Sequence, residues 1–433
     1  MQINKKEYKN VGETLFYGEL DNGLKIFVLP KKGFNSWYAV FGTHYGGSMR
    51  RFEINGETVD TPAGVAHFLE HKMFDMPDGS NALTTLSENG ADPNAFTSTD
   101  LTCYHFSCTD LFEDNLRLLL QFVSTPYYTP ETVQKEQGII AQEIQMGDDS
   151  PGRQVYYDLL SALYEHHPIK DAVVGTVESI AEITDETLYE CHSVFYAPSN
   201  MVLCVEGDVE PERIFEIANE ELPAERKPVP HADFGPAESA LPASSRKERQ
   251  MPVGLPEFLI GSKLGRGATP SGGDTLSMVR ERLIAGLSLR LLAGSSSPFF
   301  TRLYAEGTLT RDFDFEADYT ADTATMIIGG QSPDPEKVLQ ELLAEADSIR
   351  KKGFGKAYFS RTRKSMIGGR LRGLEDFDGF CVSLLADAFD GFCTLDAIEL
   401  LPELRREECE QWIADNFTPE KLAMAVIRPL KDS

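Results

Sequence analysis

The sequence predicts an α+β protein: two homologous mixed α/β domains, residues 1–221 and 255–433, joined by a linker over 222–254. Three observations lead there. Strand-like apolar runs alternate with helical periodicity, similar segments recur roughly 200 residues apart, and a stretch without periodicity separates the copies.

The clearest repeated pair is "ESIAEITDETLYECHSVFYAPSNMVLCVEGDV" from Glu178 and "IELLPELRREECEQWIADNFTPEKLAMAVIRP" from Ile398. Each reads as a short helix, a longer amphipathic helix, a Pro-containing turn and an apolar strand. Upstream, "GRQVYYDLLSALYEHH" corresponds to "EDFDGFCVSLLADAFDGF", and "DLFEDNLRLLLQFVSTP" to "PDPEKVLQELLAEADSI". Identity is low residue by residue, but the order of elements is shared, which is the mark of a duplicated domain rather than a short-repeat solenoid. The linker, "LPAERKPVPHADFGPAESALPASSRKERQMPVG", is rich in Pro, Ala, Ser and charge.

Composition bounds the function. The formal charge of −27 opposes the phosphate neutralisation on which nucleic-acid binding depends, so DNA and RNA are not expected partners. The start of the chain has no apolar core behind its lysines, and no apolar run approaches the roughly 18–20 residues of a membrane helix, so a cytoplasmic protein without membrane contact is expected. Seven cysteines lie scattered with no CxxC pair, as reduced, buried thiols would.

Only eight histidines occur, the last at His231, so histidine chemistry is confined to the first half. Two of them stand in "TPAGVAHFLEHKMFDMP", where a helix is expected over 63–73. Positions four apart share a helix face, which sets His67 beside His71 with Glu70 on the adjoining edge. Two imidazoles so placed can bind one Zn²⁺, and a free carboxylate next to them can take a proton from an attacking water. The order is an inverted HExxH, that is HxxEH. A third protein ligand is needed, and the helix "TPETVQKEQGIIAQEIQMGDDSP" offers Glu143, with Glu136 seven residues earlier on nearly the same face to orient a histidine. His166 and His167, before Pro168, read as caps or packing, and "TVES" at 176–179 as a helix start capped by Thr176.

These residues carry a resemblance. "YGGSMRR", "HFLEH", "LSENGADPNAFTSTDLTCYHFSC", "KEQGIIAQEIQMGDDSP", "HHPIKDAVVGTVESIAEIT" and "FYAPSNMVLCVEGDV" resemble, in order, the pitrilysin/insulinase family of zinc metallopeptidases, which includes the mitochondrial processing peptidase. The resemblance implies the duplicated fold of that peptidase, one Zn²⁺ per chain held by His67, His71 and Glu143, and Glu70 as general base. It also implies that Asn94, Ala95, Phe96 and Thr97 line an edge strand on which an extended peptide is laid. In the second half, family members carry an Arg and, seven residues later, a Tyr that assist substrate. This chain has Tyr304 and Arg311 there, in the reverse order, with Arg302 nearby. The chain is similar to short bacterial two-domain members associated with elongation factor P modification.

The expected function is therefore a zinc endopeptidase, or its catalytic subunit, acting on peptides or unfolded segments in a closed chamber. It would work as a homo- or heterodimer with a second insulinase-like chain. The alternative is a catalytically silent interaction or scaffold subunit of a heterodimer.

Overall fold

The first sheet explains the strand pattern of the first half. In the computed structural model, which describes residues 2–264 and 275–430, seven strands lie in the order Gln2–Tyr8, Glu13–Glu19, Lys25–Pro30, Met201–Gly207, Trp37–Thr43, Thr102–Cys108, Ala91–Thr97. All neighbours are antiparallel except Lys25–Pro30 with Met201–Gly207. Met201–Gly207 is buried along its whole length, as a central strand covered on both faces must be. A small three-stranded sheet pairs His231–Ala232 with Arg51–Ile54, and that strand with Glu57–Asp60.

The second sheet has five strands in the order Arg246–Met251, Ala423–Pro429, Glu257–Lys263, Thr323–Gln331, Asp314–Thr320. Its first pair is parallel and the others antiparallel. This is the order and polarity of the last five strands of the first sheet, so the two sheets share one topology, and the first adds a hairpin at its outer edge.

The halves are not contiguous in sequence. One compact unit comprises 1–144, 172–234 and 371–396; the other comprises 145–171, 235–370 and 397–433. The helix Pro151–Leu163 packs on the second sheet and the helix Phe377–Phe389 on the first. These two helices are the corresponding pair "GRQVYYDLLSAL" and "FDGFCVSLLADAF", each completing the other half's unit. A glycine admits each. A Cβ on Gly42 would lie 2.9 Å from Leu385 of the one helix, and a Cβ on Gly261 would lie 2.9 Å from Leu159 of the other. Periodicity identified the helices but not their hosts, so boundaries at 1–221 and 255–433 cut across both units.

The stretch 222–254 is also more than a tether. It contributes His231–Ala232 and the edge strand Arg246–Met251, and Glu238 accepts hydrogen bonds from the backbone of Glu165, His166 and His167. These hydrogen bonds hold the Glu238 carboxyl down at about 2, against the opposing effect of burial. Thr176 caps the helix Val177–Ala181, and His167 accepts from Ile169 N at 3.1 Å. All seven cysteines are buried free thiols. Among the described residues one stretch, Thr275–Ala305, is long and apolar enough to cross a membrane by length and composition, contrary to the sequence expectation, but most of its apolar window is buried, as in the core helix of a folded domain.

Candidate metal and catalytic site

The motif helix runs Val65–Lys72. It starts after Gly64, whose φ of 97° an L side chain rarely adopts and whose Cβ would lie 2.7 Å from the Val174 carbonyl oxygen. Val65, Ala66, Phe68 and Leu69 enter the core of the first unit and fix the helix's rotation. The other face then presents His67 and His71, ring centroids 4.6 Å apart.

The helix Pro130–Asp148 brings the acids expected from the sequence. Glu143 Oε1 lies 3.5 Å from His67 Nε2, and its Oε2 lies 3.6 Å from His71 Nε2. Two helical turns away, Glu136 Oε1 lies 2.9 Å from His71 Nδ1. With Nδ1 donating to Glu136, the Nε2 lone pair of His71 points to the side where Glu143 stands, the tautomer a metal ligand requires. Ligand atoms of His67, His71 and Glu143 lie within 4.8 Å of one another. Atoms at about 2.0–2.1 Å from a tetrahedral zinc are about 3.4 Å apart, which the two His–Glu143 distances approach. Two imidazole nitrogens and one carboxylate oxygen form a donor set that fits zinc and leaves a fourth position.

Glu70 stands outside this trio. Its Oε2 accepts a hydrogen bond from Thr97 Oγ1 at 2.6 Å. Burial pushes the Glu70 carboxyl above the usual carboxylate range, with Glu143 adding to the rise; the Thr97 bond and the His71 charge pull it back. Burial lowers His71, but the hydrogen bond to Glu136 and the charges of Glu70, Glu136 and Glu143 prevail and raise it.

Thr97 belongs to the strand Ala91–Thr97, the edge of the first sheet, with Asn94, Ala95 and Phe96. The Thr97–Glu70 bond went unread in the sequence, although it ties the edge strand directly to the motif. Tyr304 and Arg311 lie in the second unit, where Arg311 Nε donates to Tyr304 Oη at 3.0 Å. Arg302 pairs with Glu341 at 3.0 Å.

Comparison with known proteins matches residues 55–177, which contain the whole motif and both acids, to insulinase (peptidase family M16), and residues 182–366 to the peptidase M16 inactive domain. The "uncharacterized zinc protease" YmfH of Bacillus subtilis (strain 168) is 36% identical over 99% of each chain. The chain belongs to the M16 peptidase family. An M16-like peptidase from Alicyclobacillus acidocaldarius shares the fold over 99% of both chains, with TM-score 0.90 and 29% identity. The periplasmic protease PqqL of Escherichia coli shares it at TM-score 0.73 and 18% identity, over 99% of this chain but 48% of PqqL. The two M16 units thus have solved counterparts in fold, and the family is one of peptidases.

Proposed function

We propose that this M16 chain is a zinc-dependent endopeptidase, with His67, His71 and Glu143 as metal ligands and Glu70 as general base. The observation that carries the reading is the convergence of the three donors beside a fourth, separate carboxylate that no structural metal site would need. Zinc bound there supplies a Lewis acid that polarises the scissile carbonyl and brings the ionisation of water toward neutrality. Glu70 takes the water proton during attack and passes it to the leaving amine; its burial favours holding that proton between the two steps. Thr97 keeps one Glu70 oxygen fixed, so the other is the one directed at the water. Glu136 holds the His71 ring, and the open side of the edge strand lays the peptide backbone alongside Glu70.

We also infer a pairing with a second M16 chain that closes a chamber and limits substrates to peptides and unfolded segments. In support, this chain matches PqqL over 99% of its own length but 48% of PqqL's, so PqqL has length for a second pair of such units. A cytoplasmic location belongs to the same proposal, and the buried free thiols fit a reducing compartment.

The interaction-subunit reading has one observation in its favour: Tyr304 and Arg311, counterparts of substrate-assisting residues, hydrogen-bond to each other. The two readings part in a single experiment. Zinc-loaded wild type and Glu70→Gln are incubated with a library of unstructured peptides, with metal content measured in both. Cleavage by wild type alone, at equal zinc content, supports the peptidase; no cleavage by either, alone or with a second M16 chain added, sinks it.

A further inference from the structure

Behind Glu70 the first unit holds a file of hydroxyl groups. Thr97, whose hydroxyl donates to Glu70 Oε2, is paired across the end of its hairpin with Thr102 of the strand Thr102–Cys108. Thr102 Oγ1 lies 3.3 Å from Thr97 Oγ1 and 2.9 Å from the Tyr45 carbonyl oxygen, and its proton is shared between them. Thr102 also hydrogen-bonds to the Tyr196 phenol, and Tyr196 Oη lies 2.9 Å from Tyr104 Oη. Thr102 and Tyr104 are fully buried and Tyr196 is 4% exposed. Burial, with the Glu70 charge adding to it, pushes both phenols up, so each keeps its proton.

Counting protons fixes the direction of the file, because each hydroxyl donates once. With Tyr104 donating to Tyr196, the Tyr196 proton is free for Thr102, the Thr102 proton for Thr97 and Tyr45, and the Thr97 proton for Glu70 Oε2. In the reverse order the Tyr104 proton has no acceptor within the file. The Thr97–Glu70 distance of 2.6 Å is that of a hydroxyl on an ionised carboxylate. A chain of this kind strengthens each of its bonds and resists the turning of any one member. Oε2 is therefore an occupied acceptor, and a proton taken from water is left on Oε1.

The second unit carries the same threonine pair in a different use. Thr320 is paired with Thr323 at the matching end of its edge hairpin, and Thr323 Oγ1 donates to the Thr320 carbonyl oxygen at 2.7 Å. There the Thr323 hydroxyl closes a turn, whereas in the unit with the histidine motif the Thr102 hydroxyl backs a carboxylate.

We propose that Thr102 is a positioning residue for Glu70: backed by Tyr196 and Tyr104, it keeps the Thr97 proton on Oε2, so that Oε1 alone receives the water proton and passes it to the leaving amine. The proposal rests on the peptidase reading for its place in the reaction, while hydroxyl direction can be read without turnover. Neutron diffraction from crystals of the wild-type protein in heavy water should show the Thr97 deuteron directed at Glu70 Oε2 and the Tyr196 deuteron at Thr102. A Thr97 deuteron on the Thr102 oxygen, or a deuteron on Oε2, overturns the proposal. In the zinc-loaded protein, Thr102→Val should lower kcat for a cleaved peptide about tenfold with KM and zinc content unchanged. Thr102→Ser should restore kcat to within about twofold of wild type, and Thr323→Val should leave it as it was. In the Glu70→Gln protein, Thr102→Val should cause no further loss, since its effect runs through that carboxylate. A loss that persists there, or that shows as a raised KM, marks a packing effect and overturns the assignment. The expected deuterons with no peptide cut by wild type would leave the hydroxyl order standing and sink the peptidase; cleavage that Thr102→Val leaves untouched would do the reverse.

Discussion

The two units share a strand order and polarity and differ in where they place charge. At the strand buried between the parallel and antiparallel neighbours, the first unit has Glu206, paired with Leu29 and Tyr38, and the second has Ile427, paired with Arg249 and Glu257. Ile427 is fully buried and costs nothing to keep so. Glu206 is equally buried and held by Lys31 at 3.2 Å. The contrast recurs at the motif. The first unit surrounds a short helix with imidazoles and carboxylates, while the helix Thr275–Ala293 at the same point of the second topology is a packed core element without histidine. A fold that seats its helices by apolar contact can lose the polar set in one copy and keep its architecture. Polar chemistry is an addition to one copy's surface and strands, not a requirement of the topology.

The largest effect should come from separating the halves. Residues 1–234 alone lack Phe377–Phe389, leaving Gly42 and the strands beside it without the helix that covers them. Such a fragment should show no cooperative thermal transition; a sharp one would mean the exchanged helix is dispensable. Next, Glu70→Gln should cut peptide turnover by about 10²–10⁴-fold with zinc content unchanged, since the loss is of proton transfer rather than of a ligand. No change at the second unit should match it.

Removing the packed leucines should then show whether the exchange is energetically symmetric. Leu385→Ala in the first unit and Leu159→Ala in the second are each expected to cost about 2–5 kcal/mol by denaturant titration. A much smaller cost on one side would break the symmetry that topology suggests. Glu136→Gln leaves a hydrogen-bonding group of similar size but no charge beside His71 Nδ1. Zinc affinity, measured by competition with a chelator, should fall about 10–100-fold.

The smallest expected effect is in pH dependence. Burial, opposed by the Lys31 charge, pushes Glu206 up to about 7. Between the unfolded carboxylate value, near 4.5, and 7, the native state therefore holds more protons at this site than the unfolded chain. Its contribution to stability must fall as pH rises through that window. Glu206→Gln should flatten the fall, and an unaltered slope in denaturant titrations between pH 5 and 7 would show that the charge is better solvated than its burial implies.

Much of this was legible in sequence because it is local. The four-residue spacing of His67 and His71 and the seven-residue spacing of Glu136 and Glu143 are properties of a helix face, and the structure sets both pairs as the spacing predicts. Gly64 and the capping threonine at 176 are likewise fixed by one or two backbone conformations. The duplicated order of elements could be read because each element's apolar period survives divergence even where identity does not.

What the sequence determined by itself is therefore the inventory: the family, the two copies, and the helix faces that carry the candidate ligands. What the tertiary structure decided is which parts meet. Nothing in "LLSAL" or "LLADA" says which sheet it covers, because any apolar helix face fits any apolar sheet face of similar shape. Gly42 and Gly261 admit Leu385 and Leu159 only once the chain is folded. The Thr97–Glu70 bond spans 27 residues and depends on the edge strand lying level with the motif helix. Asp92 and Glu375 line one cavity of the first unit although 283 positions separate them in the chain, placed by a helix that returns from the other half. Local periodicity is encoded within a few residues, whereas contacts between distant surfaces are selected by how the whole core closes.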